Sequence, residues 1–217
     1  VLVQPLGLDA VRPGDVLFFR RKGPLSYAMR AVDATVFQHV SLVIDATWIA
    51  HSGVTGMRAV RLEAVLGSAL DIHVLRSNTV TDLAPVTSIA CSYLERGARF
   101  AYGHVILAGA MQLARRLSDD GALRAASRGS VRAIAKVASR RAAGRRTPMT
   151  CSEFVYRCFA ESSIGSGAAY LLSIADRRPT SPVGDASAHS VPALPNFVTP
   201  GDLYRSPSLE LVGRLLT

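Results

Sequence analysis

The sequence is poor in cysteine, in acid and in long apolar runs, and each scarcity closes off a class of structure. Three cysteines in 217 residues are too few and too badly spaced for a disulfide framework. Cys151 and Cys158 lie on one expected helix, about 10 Å apart along its axis at about 1.5 Å per residue, beyond bridging distance. No grouping of Cys and His has zinc-ligand spacing, so no metal and no cofactor is expected. No apolar run reaches about eighteen residues, so nothing reads as a transmembrane helix. The chain starts Val1-Leu2-Val3-Gln4-Pro5, without an initiator methionine or a basic, apolar, cleavable leader. That start leaves secretion and localisation open.

Acid is scarce in one place above all. Residues 105–146 hold ten basic residues against Asp119 and Asp120, +8 of the formal net charge of +9. Alanine and arginine dominate there, and the text reads as two helices broken near Ser118-Asp119-Asp120-Gly121. Arg124, Arg128, Arg132, Lys136 and Arg140 recur every fourth residue as a basic ridge. Such a ridge is either a solvated face or a surface drawn to anionic lipid, acidic cell-wall polymer or an acidic partner, and the first two of these would suit association with the cell envelope. No stacking aromatics accompany it, so nucleic acid ranks below membrane or wall as a partner of the 115–146 helices. Oligomeric state is not legible.

Against these absences stands Thr150-Cys151-Ser152-Glu153-Phe154-Val155-Tyr156. Thr150 and Glu153 have capping-box spacing, which sets Cys151 in the first turn of a helix. Free N–H groups and the positive end of the helix dipole favour a thiolate there. A base is then needed. His39 stands in Val36-Phe37-Gln38-His39-Val40-Ser41-Leu42-Val43-Ile44-Asp45, whose β-branched and aliphatic residues read as a buried strand. Period two would put Phe37, His39, Ser41 and Val43 on one face. Ala46 to Gly53 reads as the next strand, with His51 at its end.

Gly14-Asp15-Val16-Leu17-Phe18, the His39 run, His51 and Thr150-Cys151-Ser152-Glu153-Phe154-Val155, in that order, resemble the circularly permuted NlpC-type papain-like superfamily, in its YiiX-like branch. Proteins resembling lecithin retinol acyltransferase share the histidine-first order. The resemblance spans about residues 12–75, 98–104 and 148–161, with an echo in Thr199-Pro200-Gly201-Asp202-Leu203. It implies Cys151 as nucleophile, His39 as general base and then acid, and His51 as the residue that orients His39. It also implies acyl transfer through a thioester on an amide, peptidoglycan-type peptides being the class suggested. The rivals are a lipid-directed thiol acyltransferase or esterase and a non-catalytic ligand-binding member of the fold. Two departures are visible: many of the branch have glutamate where His51 stands, and Arg99-Phe100-Ala101-Tyr102-Gly103 lacks an aspartate after its tyrosine. Helix-start N–H groups are the expected oxyanion donors, with Tyr27 and Tyr102 as minor contributors.

With 49% hydrophobic residues the chain suffices for one domain over 1–217 with an elaboration at 105–146. The fold class expected is α+β, a small antiparallel sheet packed on the cysteine helix. Strands are expected at 16–19, 37–45, 46–51 and 71–76, and helices at 26–32, 62–66 and 85–96. Residues 165–198 read as a surface loop, followed by a turn or short helix at Pro200-Gly201-Asp202. His73, His104 and His189 match no motif and are read as structural or exposed.

Overall fold

The computed structural model describes residues 3–21, 35–53, 56–97, 149–164, 168–174 and 198–216. Seven strands form one sheet: β1 (Pro5–Leu6), β2 (Val16–Arg20), β3 (His39–Val43), β4 (Trp48–Gly53), β5 (Gly56–Arg61), β6 (Asp71–Ser77) and β7 (Leu209–Leu215). Their order is β1-β7-β6-β2-β3-β4-β5. Every pairing is antiparallel except β1 with β7. The helices are α1 (Leu62–Leu66), α2 (Ala84–Glu95), α3 (Cys151–Ser162) and α4 (Pro200–Tyr204).

The sheet is therefore α+β as expected but larger than the small antiparallel sheet read from the sequence. β1, β5 and β7 were not foreseen. The β3 strand is shorter than 37–45, and its alternation breaks at Gln38, whose Oε1 accepts the Arg21 N–H at 2.9 Å. Phe37 consequently leaves the face assigned to it. It packs on His73 and Tyr204, with ring centroids 4.7 Å from each, and edge-on to Phe18.

The two faces of the sheet build two cores. On one, Val16, Phe18, Val40, Leu42 and Ala50 meet Val86 and Ala90 of α2 and Phe154, Val155, Cys158 and Phe159 of α3. On the other, Leu17, Phe19, Val43, Ile49, Ile72 and Val74 pack with Leu62 and Val65 of α1. Alternation along β2, β3 and β4 sorts these residues between the faces. Burial is complete at Phe18, Phe19 and Phe154, and truncating any of them to alanine would cost about 3–5 kcal/mol.

The Pro13-Gly14-Asp15 turn is held from two sides. Gly14 has φ 89°, and a Cβ there would fall 2.4 Å from Leu83 Cβ, so only glycine fits. Asp15, fully buried, accepts from Arg76 Nε at 2.7 Å and Nη2 at 2.8 Å and from the Arg12 N–H at 2.8 Å. Within the stretch read as a surface loop, residues 168–174 dock: Leu172 is buried, and Ser206 Oγ donates to the Ser173 carbonyl at 2.7 Å. The expected helix at 26–32, the basic segment 105–146 with its 115–146 helices, residues 165–167 and 175–197, Tyr27, Tyr102, His104 and His189 lie outside the described residues.

Candidate functional site

The capping box forms as its spacing requires. Glu153 N–H donates to Thr150 Oγ1 at 3.1 Å, and the Thr150 N–H reaches Glu153 Oε2 at 3.4 Å. Glu153 is buried and also takes Arg157 Nε at 3.0 Å. A second box starts α4, where Thr199 Oγ1 accepts the Asp202 N–H and Asp202 Oδ2 accepts the Thr199 N–H, at 3.1 Å each. Ser152 Oγ ties the two helix starts together by donating to the Val198 carbonyl at 2.7 Å. Cys151 is thus fixed in the first turn of α3, 5% exposed.

The sulfur sits where the sheet forks. Pairing between β3 and β4 runs no further than Ser41 opposite His51. The N–H of Val40, the next residue of β3, faces the Cys151 sulfur. Burial pushes the thiol pKa up, and the N–H groups of Val40, Ser152 and Cys151 and the charge of Arg21 bring it only part of the way back. The thiolate expected from helix-start chemistry is therefore outweighed by desolvation. All three cysteines are free, and Cys158, deep in α3, is pushed further up by burial.

Both candidate histidines meet on the sheet. His39 Nε2 lies 3.1 Å from His51 Nδ1, and Ser41 Oγ completes a triangle at 3.3 Å and 3.1 Å. Ser41 follows from the register, because it faces His51 directly across the ladder. Phe19 of β2 packs against both imidazoles, at 5.6 Å from His39 and 6.4 Å from His51. His39 is held well below its ordinary pKa by burial, by His51 and by Arg21. Burial, with Arg21 and Arg58, lowers His51 to about 4. Both rings are neutral at pH 7, so one donates its single N–H and the other accepts.

No hydrogen bond joins the thiol to either imidazole. The histidines share the Phe19 face, whereas α3 packs on the Val40 face, and the link between them is the Val40 N–H, which faces the sulfur one residue after His39. Two participants escaped the reading of the sequence. Ser41 was noted only for its face, and Arg21 not at all. Arg21 follows Phe18-Phe19-Arg20 out of β2, and stacks at 5.5 Å over Phe19. Ser52 adds a buried Oγ without a partner, one residue beyond His51.

His73 is elsewhere on the sheet. Its Nδ1 meets the Tyr204 hydroxyl at 2.8 Å, and its Nε2 lies 3.7 Å from Asp71. No group of three or more His, Cys, Asp or Glu able to hold a metal occurs among the described residues. No described helix is long and apolar enough to cross a membrane.

By sequence, no protein-family model and no curated protein matches the chain. By structure it is similar to a protein of Escherichia coli O157:H7 described as metalloprotein yiiX. The TM-score is 0.53 and the identity 12%, over 93% of this chain and 96% of that one. The likeness shows a YiiX-like fold.

Proposed function

We propose that the chain is a thiol hydrolase that cleaves an amide, with Cys151 as nucleophile, His39 as general base and then acid, and His51 as the residue that orients His39. The Val40 N–H bond to the Cys151 sulfur, one residue from His39, supports this reading. His39 engages His51 and Ser41 through Nε2, so Nδ1 is the nitrogen left for the thiol. The permuted papain-like arrangement and the peptidoglycan-type peptide substrate come from the motif resemblance and belong to the same proposal.

A raised thiol beside a lowered imidazole is a neutral pair at rest. The Cys151 proton therefore passes to His39 Nδ1 as sulfur attacks the carbonyl, rather than beforehand. Sulfur–carbon bonding forms a tetrahedral oxyanion, for which the first N–H groups of α3 are the nearest donors. The carbon–nitrogen bond then breaks and the amine leaves with the proton from His39. Water adds to the thioester, His39 takes its proton, and acid and free thiol are released. Catalytic hydrogen bonds are often long in the absence of substrate and tighten on binding, which accommodates the unbonded thiol.

The word metalloprotein belongs to the structural neighbour. Here the two imidazoles are joined only by a hydrogen bond and Ser41, whereas a catalytic zinc takes three protein ligands. No third ligand joins them among the described residues, so the residues do not fit a resident metal.

The test is acylation by p-nitrophenyl acetate in a Cys91→Ser/Cys158→Ser background. A burst of nitrophenol with one acetyl group on Cys151 is expected, slowed by about 10²–10⁴ in His39→Ala. Acetyl passed to an added amine in preference to water would turn the reading toward an acyltransferase. No acetyl on Cys151 would leave a ligand-binding domain, the reading that its buried, protonated thiol favours.

A further inference from the structure

We propose that Arg21 is the recognition site for a substrate carboxylate, so that the amide cleaved at Cys151 belongs to an acidic peptide carrying a carboxylate next to the scissile bond. The inference rests on the thiol-hydrolase reading for the bond cleaved, and on the geometry around Arg21 for the charge.

Gln38 holds the Arg21 backbone, and Phe19 supports the guanidinium from below at 5.5 Å. The same Phe19 ring touches His39 and His51, so guanidinium, imidazoles and Ser41 gather around one aromatic floor. Arg21 is half-buried, and its Nε is shielded from water with no hydrogen-bond partner. It makes no ion pair among the described residues. Four other arginines are ion-paired: Arg76 with Asp15, Arg157 with Glu153, Arg205 with Asp202 and Arg214 with Asp71. Arg20 also has an unpartnered Nε, but it stands across the ladder from Asp71.

A guanidinium withdrawn from water without an anion is costly, and its planar fork matches a carboxylate with two parallel bonds. A singly charged carboxylate balances the one half-buried charge, where a phosphate dianion would leave a charge over. Arg58, exposed and paired across the ladder with His51, adds long-range attraction for the same sign. The positive charge of Arg21 also reaches the thiol and both imidazoles. An anion seated on it would therefore make His39 a better base as the substrate arrives.

The experiment compares two alkylating agents of nearly equal size and different charge, iodoacetate and iodoacetamide, on the Cys91→Ser/Cys158→Ser protein. The iodoacetate-to-iodoacetamide rate ratio at Cys151 should exceed that of free N-acetylcysteinamide by about tenfold. Arg21→Gln should return it to the free-thiol ratio, and Arg21→Lys should keep part of it. A wild-type ratio equal to that of the free thiol, or one unchanged in Arg21→Gln, would overturn the proposal. Should Cys151 alkylate with neither reagent, calorimetric titration with N-acetylalanine against N-acetylalaninamide decides. Binding of the acid alone, lost in Arg21→Gln, supports the site, and equal or absent binding refutes it. The two readings fail separately. A preserved charge ratio without acetylation of Cys151 sinks hydrolysis and keeps the carboxylate site, whereas acetylation without charge preference does the reverse.

Discussion

The sheet carries a histidine cluster on each face, and the two are built in opposite ways. On the face of Phe18, His73 has a carboxylate at Asp71, a hydroxyl at Tyr204 and an aromatic lid at Phe37, and Asp71 is itself paired with Arg214 at 3.0 Å. Both His73 ring nitrogens there face a polar partner. On the face of Phe19, His39 and His51 have only each other and Ser41, with arginines as their charged neighbours. An acidic partner therefore marks the closed cluster, and its absence marks the one beside the thiol. Histidines whose pKa values are driven down by burial and cations remain neutral bases at pH 7, as a proton acceptor must.

The sharpest way to break this contrast is to remove one histidine from each cluster. Cys151→Ser should abolish acetylation and His39→Ala should slow it by about 10²–10⁴, while His73→Gln should keep it within about threefold, measured as nitrophenol burst rates. Loss of the burst in His73→Gln with the fold intact would reverse the assignment of the two clusters.

Acid should separate them next. Below about pH 6.5 an unfolded chain binds protons that the folded imidazoles refuse, so folding stability falls as pH drops from about 6.5 toward about 4. For His51, lowered to about 4, the loss is on the order of 3 kcal/mol, and His39 adds to it in the same direction. The gap between urea midpoints at about pH 4.5 and about pH 7.5 should narrow in His51→Gln by more than in His73→Gln. A pH profile indifferent to His51 would show the pair to be solvated.

Giving the His39–His51 cluster the acid that the His73 cluster possesses should raise the His39 pKa by about 1–3 units in His51→Glu, read by imidazole chemical-shift titration. An unmoved His39 would mean that position 51 does not orient it. The smallest effect should come from Tyr204→Phe, which removes one hydrogen bond from His73 at a cost of about 1 kcal/mol in thermal melts, with Cys151 alkylation unchanged.

The parts legible in the sequence were those settled by neighbours along the chain. Thr150 and Glu153 cap α3, β2 and the core of β3 follow their aliphatic runs, and the Gly14 turn stands where Pro13-Gly14-Asp15 put it. What escaped depends on distant partners. In β5, Arg58 and Arg61 interrupt any apolar pattern because the strand is at the sheet edge. In β7, Leu211 and Val212 blur the alternation, where the partner strand shifts register between Val74 and Leu75. Phe37 was placed on the wrong face because period two assumes a strand without a break, and Gln38 breaks it. The thiol's pKa was misjudged for a similar reason: a helix start is local, but the burial that overrides it is supplied by the sheet.

The position of β7 between β1 and β6 has a consequence for biosynthesis. β6 pairs residue by residue with a segment more than 130 positions later, as in Ile72 opposite Leu215 and Ser77 opposite Leu209. At about 5–20 residues per second, a nascent chain would hold the edge of β6 open for on the order of ten seconds, with β1 lacking its neighbour throughout. An open apolar edge recruits other chains, so the ribosome-bound intermediate is the form of this protein most in need of a chaperone, and the histidine strands are made long before the cysteine that they would serve.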